Sequence, residues 1–145
     1  AMLIAFISII ALLNWALGLI SFGSTILSIE LILGYLFMPL AFLMGAPWSE
    51  AHILGSLMGQ KLVLTEFIAY GNLASLGDSV STKTATIAAY ALCGFANFAS
   101  IGIQLGGIGS IAPERKKDLA KLVMKAMIGG ALASWLTATI AGILL

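Results

Sequence analysis

Five apolar runs, each bounded or interrupted by Gly, Pro or a short polar cluster, set the organisation of this chain. Residues 2–22 carry no charge, and Asn14 is their only notable polar group. At 1.5 Å per residue about 20 residues cross the roughly 30 Å hydrocarbon core, so this run predicts a transmembrane helix. Gly23-Ser24-Thr25 breaks it. Residues 26–44 form a second run with Glu30 near its start and Pro39 inside. Ser28 suits an N-cap, although Leu31 stands where a capping box needs an acid. Glu30, Tyr35 and Phe37 fit a helix lying at the membrane interface as well as a span. Pro47-Trp48-Ser49-Glu50 restarts the chain, with Pro at a helix start and an aromatic suited to headgroup depth.

The third unit, residues 48–76, is too polar for a lipid-facing span, because it holds His52, Gln60, Lys61, Thr65, Glu66 and Asn72. Its two apolar stretches, 48–65 and 67–76, are short, with Glu66 between them. This predicts a re-entrant hairpin that turns at mid-depth, where irregular backbone is tolerated only against protein or a cavity. The fourth unit, Thr84 to Ile111, reads as a broken span. Gly94-Phe95-Ala96-Asn97 is its weak point, since Gly costs about 1 kcal/mol relative to Ala and Asn competes for local backbone bonds. Gly106-Gly107-Ile108-Gly109 is expected to end it. A polar loop from Pro113 leads into a helix, and residues 126–145 give a 20-residue span in which Gly129, Gly130, Ala133, Thr137 and Ala141 place small residues along one side for close packing.

Composition restricts the class. Hydrophobic residues make up 61%, charged residues 9%, and mean hydropathy is +1.10. Soluble domains carry about 25% charged residues, so this is an all-α polytopic membrane chain. A net charge of +1 gives no nucleic-acid footprint. Cys93 alone excludes an internal disulfide. The abrupt apolar start has no charged region of the signal-peptide type, which suggests a piece of a longer protein. Five of the seven basic residues, Arg115 to Lys125, fall within eleven positions. Positive loops stay cytoplasmic, so loop 113–125 is expected on the cytoplasmic side and the C-terminus outside. The hairpin then enters and leaves from outside.

Two polar clusters carry the candidate chemistry. Glu66 is the only carboxylate between Glu50 and Asp78. An ionisable group at bilayer depth costs roughly 2.5–3.5 kcal/mol on insertion scales and marks a functional site by default. The second cluster is Asn97 with Ser100, in the Gly-interrupted segment. Two such segments together form the pattern of a midplane solute site built from broken helices. Structural readings stand beside these. Glu66 could pair with Lys61, itself suited to snorkelling or capping, and Asn97 could glue helices at about 0.6 kcal/mol. His52 reads as interfacial, and Cys93 as a small buried apolar residue. A dinucleotide-like Gly107-Ile108-Gly109-Ser110-Ile111-Ala112 lacks a preceding strand and meets Pro113.

Gly59-Gln60-Lys61-Leu62-Val63-Leu64-Thr65-Glu66-Phe67-Ile68-Ala69-Tyr70 resembles the Gly-x-Lys-x-x-x-Asn-Glu-Phe-Val-Ala-Tyr motif of the concentrative nucleoside transporter family. Tyr90 to Gly102 resembles that family's other characteristic segment, and Gly106-Gly107-Ile108-Gly109 with Pro113-Glu114-Arg115 continues the match. Thr65 departs from the motif's Asn. The resemblance implies the C-terminal part of a bacterial member, half of an inverted-repeat symporter. Residues 2–22 would then be a scaffold helix, 28–44 an external interfacial helix, 48–76 the second re-entrant hairpin, 82–111 a discontinuous helix and 116–145 the last helix. Glu66, Asn97, Ser100 and Phe95 would bind the nucleoside, the first three at its ribose. Vicinal hydroxyls donate well to a carboxylate, while Asn and Ser both donate and accept. It further implies a homotrimer in the lipid bilayer, no tightly bound cofactor and no metal. The coupling ion would be sodium or a proton, with its ligands in an N-terminal part. Readings from other classes are a membrane-embedded enzyme using Glu66 as acid or base, and a structural membrane subunit.

Overall fold

In the computed structural model, residues 2–19, 21–22 and 25–145 are described. Seven α-helices account for nearly all of them: α1 (Met2–Gly18), α2 (Ile29–Leu43), α3 (Trp48–Val63), α4 (Glu66–Leu76), α5 (Thr82–Leu92), α6 (Phe98–Ile111) and α7 (Lys116–Leu144). Short 3₁₀ turns at Gly77–Ser79 and Pro113–Arg115 precede α5 and α7. A two-residue antiparallel bridge, Ser21–Phe22 with Thr25–Ile26, follows α1, a feature that the apolar pattern does not announce. Residues 23 and 24 of the expected first break, and residue 20 of the expected first helix, lie outside the described residues. Among the described residues, one continuous helical stretch, Pro113–Leu144, is long and apolar enough to cross a membrane.

Helix α2 starts on its sequence signal, with the Ser28 side chain accepting from Leu31 N–H at 3.1 Å. Beside that start, Asn14 of α1 donates to both Glu30 oxygens at 2.9 Å and accepts from Ile29 N–H at 2.9 Å. The polar group of the first run thus caps the start of the second. The most extensive helix packing is α2 on α3. It depends on Gly55, where an added Cβ would lie 3.0 Å from the Met38 nitrogen and closer still to the Gly34 carbonyl. Helices α3 and α4 fold back on each other as a hairpin, with Asn72 Nδ2 donating to Gln60 Oε1 at 2.6 Å. At the hairpin mouth Glu50 accepts from Ser81 Oγ at 2.8 Å and from Ser81 N–H at 3.2 Å, fastening α3 to the start of α5.

The main core gathers Ala41, Leu54, Met58, Ile87, Leu92, Trp135 and Ala138 from α2, α3, α5 and α7. Phe37 joins it against Trp135, with ring centroids 5.2 Å apart. A smaller cluster of Ile101, Val123 and Met127 joins α6 to α7.

Two expectations are corrected. Helix α6 does not stop at Gly106-Gly107 but runs to Ile111. Tertiary contact outweighs the glycines' weak propensity: Gly109 is buried against the aliphatic stem of Lys116, which a Cβ would meet at 3.1–3.2 Å. The buried stripe of α7 is Val123, Met127, Ala131, Trp135, Ala138 and Gly142. The expected small-residue side lies off that stripe, with Gly129, Gly130, Ala133 and Thr137 exposed. The buried stripe mixes large groups with Ala131, Ala138 and Gly142, and a Cβ on Gly142 would overlap the Met44 carbonyl, so close packing on α7 falls on small residues other than those expected.

Candidate solute site at two helix starts

The site forms where both broken elements restart. In the hairpin, α3 stops at Val63 and Leu64 adopts φ −95, ψ −103. Thr65 is extended and caps α4, its hydroxyl accepting from Ile68 N–H at 3.4 Å. Thr65, in place of the motif's Asn, therefore still caps, through a long bond. Glu66 is the first residue of α4, inside the helix rather than between two segments. A carboxylate there meets the positive end of the helix.

In the discontinuous helix, α5 stops at Leu92, and Gly94 takes φ 110, a left-handed conformation that suits glycine. Asn97 then caps α6. Its Oδ1 accepts from Ser100 N–H at 2.7 Å, and Ser100 Oγ accepts in return from Asn97 N–H at 3.4 Å. This is a capping box built with Ser in the reciprocal place. Ser100 Oγ donates to the Asn97 carbonyl at 2.6 Å. An N-cap of this type contributes about 1 kcal/mol.

The two starts meet. Asn97 Nδ2 donates to Glu66 Oε2 at 2.9 Å across 31 positions of sequence. Asn97 and Ser100 are only 2% and 5% exposed. Glu66 is half-buried, and Oε1 has no protein partner among the described residues. Asn97 Oδ1 is committed to the cap, but its amide retains a second N–H. A carboxylate oxygen and an amide N–H thus lie side by side, able to accept from and donate to one polar solute. Of the predicted site residues, the fold brings Glu66, Asn97 and Ser100 together. Phe95 stands apart from the hydrogen-bonded trio and is 75% exposed as a residue. Phe95, Ser100, Gln104 and Met127 line a cavity of about 250 Å³ between α6 and α7.

Lys61 does not pair with Glu66. It is wholly buried, and its Nζ donates to the carbonyls of Ala91 at 2.9 Å and Cys93 at 3.4 Å, and to Ser134 Oγ at 2.7 Å. The motif spacing gave the capping option but not the capped helix, which lies 30 positions away. Tyr70, which no local pattern marks, donates its hydroxyl to the Ala89 carbonyl at 2.6 Å, a second tie between the hairpin and α5. Cys93 is corrected from buried to exposed, because it is the C-cap of α5, where the chain turns out of the helix. His52 is exposed and lines a small cavity with Tyr35 and Ser56 between α2 and α3. Among the described residues no cluster of three or more His, Cys, Asp or Glu could hold a metal ion.

Comparison with known proteins places this arrangement. Uncharacterized transporter YutK of Bacillus subtilis is 54% identical over 144 residues, covering 98% of this chain and 36% of that protein. Nucleoside permease NupC of Helicobacter pylori is 44% identical over 150 residues, covering 99% of this chain and 36% of the permease. A solved structure of a CNTnw variant in an outward-facing state superposes with a TM-score of 0.90 at 43% identity, covering 99% of this chain and 37% of that one. The chain therefore spans about a third of the length of the proteins it matches. Its fold is that of a polytopic membrane transporter half, and the enzyme reading falls away. The match to the family described as "Na+ dependent nucleoside transporter C-terminus" extends over residues 1–142, and the chain belongs to that family.

Proposed function

We propose that this chain supplies the ribose-binding half of the solute site in a nucleoside:cation symporter. The observation that carries the reading is the contact between Glu66 and Asn97, which joins a hairpin tip to a broken helix at two helix starts. Carboxylate and amide together suit a vicinal diol, with Glu66 Oε1 accepting from a hydroxyl and Asn97 Nδ2 donating to one. Ser100 holds Asn97 in place through the capping box and adds polarity to the wall it shares with the exposed Phe95 ring, which offers an apolar face to the same solute. NupC's name as a nucleoside permease supports nucleosides as the substrate class.

Coupling to a cation follows from the family's description, which favours sodium over a proton; the coupling ion's ligands belong to the other half of the transporter. In the bilayer, loop 113–125 is cytoplasmic, the hairpin re-enters from outside and the C-terminus is external. The full-length transporter is a homotrimer in the bacterial inner membrane. The test is uptake of labelled uridine by the full-length protein in proteoliposomes, under an imposed sodium gradient or an imposed proton gradient. Competition by nucleosides and poor competition by free uracil is the expected result. Equal competition by uracil and uridine contradicts ribose recognition.

A further inference from the structure

The buried ammonium of Lys61 has no counter-charge. Among the described residues the one ion pair within 4 Å is Arg115 with Asp118, both well exposed. Burying a cation without an anion is expensive unless every proton finds an oxygen. Lys61 meets that condition, with three donors facing the Ala91 carbonyl, the Cys93 carbonyl and Ser134 Oγ. Ser134 Oγ donates its own hydrogen bond to the Ala131 carbonyl at 2.9 Å, so a lone pair is left for Lys61. The Ala91 and Cys93 carbonyls lie at the end of α5, where intrahelical partners run out and the helix carries its negative pole.

Two backbone carbonyls and one hydroxyl, with no carboxylate, form a neutral oxygen set suited to a monovalent cation. In transporters built from discontinuous helices, unwound carbonyls and half-helix C-termini are where coupling ions bind. We infer that Lys61 is a tethered cation: its ammonium fills such an oxygen site at the α5–α6 break and holds the break in its solute-binding shape without a free ion. This rests on the reading of Glu66 and Asn97 as the solute site. Around the hairpin turn at Leu64 and Thr65, the hairpin grips the broken helix with a charge on each side. Lys61 sits on the negative end of α5, and Glu66 holds the residue that caps the positive end of α6. Both charges oppose the helix poles they face. Lys61 is thus a positioning residue, acting on the solute through Asn97, four residues beyond Cys93.

The test uses purified full-length transporter and uridine binding by calorimetry. Lys61→Met keeps most of the buried stem and removes the charge. It should weaken uridine binding about tenfold, the scale of coupling between residues in one network. Lys61→Ala lacks the three outer carbons and the nitrogen that propylammonium carries. Propylammonium should restore most of its affinity, and 1-propanol at equal concentration should not. Binding by Lys61→Met within twofold of wild type overturns the inference, as does equal recovery with propanol or no recovery with either. If the Lys61 variants do not fold, Ser134→Ala removes one oxygen of the site. A loss of about threefold then supports the inference, and unchanged binding overturns it. Glu66→Gln separates the two readings. If it leaves uridine binding intact, the solute-site reading fails; if it abolishes binding while Lys61→Met does not, only the tethered cation fails.

Discussion

Replacing Glu66 with Gln perturbs one atom of the site and spares the fold around it. Glu66 Oε2 accepts from Asn97 Nδ2 at 2.9 Å, and an amide oxygen can keep that bond. The other position becomes an NH₂ group where Oε1 now stands. A solute hydroxyl that donated to a carboxylate then faces a donor. Hydrogen bonds to charged groups contribute about 1.5–3 kcal/mol, so the substitution should weaken nucleoside binding roughly 10–150-fold. The assay is uridine uptake by cells expressing the full-length variant, paired with calorimetry on purified protein and a measure of membrane expression. Uptake at subsaturating uridine should collapse while the protein still reaches the membrane. Unaltered uptake kinetics would remove Glu66 from the site.

The other predictions test the parts around that carboxylate. Asn97→Ala removes both the cap of α6 and the tie to Glu66, so it should cost more uridine affinity than Ser100→Ala, which leaves the tie in place; equal losses on calorimetry would contradict this division of roles. Asn97→Ala should also lower thermal stability by the equivalent of about 1 kcal/mol, the usual contribution of an N-cap. Single cysteines at Ser49 and Ser79, in a Cys93→Ala background, should both react with an impermeant external thiol reagent, whereas one at Lys117 should react only after permeabilisation. All three positions are exposed, so access is not the variable. Labelling of Ser49 and Ser79 from opposite sides would contradict the re-entrant hairpin.

Local signals accounted for where the chain breaks. Gly94 and Asn97 named the interruption between α5 and α6, because one takes a left-handed φ and the other caps. Ser28 likewise announced the start of α2. What the local pattern could not supply was partners across sequence. Lys61 finds Ser134 at a separation of 73, and Asn14 finds Glu30 at 16; neither follows any helical period. Glu66 and Asn97 were legible as polar groups in broken segments, yet their contact depends on how hairpin and helix pack. The misjudged features share one cause. The glycines near Gly106 and the small residues of α7 were read for intrinsic propensity and for packing in general. Tertiary contact with Lys116 carries α6 onward, and the small residues that pack closely on α7 are Ala131, Ala138 and Gly142, on the stripe they share with Trp135. Cys93 has apolar neighbours in sequence, yet the break itself turns it outward.

The central claim is that Glu66 meets ribose hydroxyls, and a cycle pairing a change in the protein with a change in the ligand tests it most directly. Dissociation constants of uridine and 2′,3′-dideoxyuridine would be measured by calorimetry on full-length wild type and on Glu66→Gln. If the carboxylate accepts from those hydroxyls, their removal should cost at least about tenfold in wild type, the scale of a charged hydrogen bond. In Glu66→Gln the same removal should cost little. An equal penalty in both proteins would show that the hydroxyls are bound elsewhere.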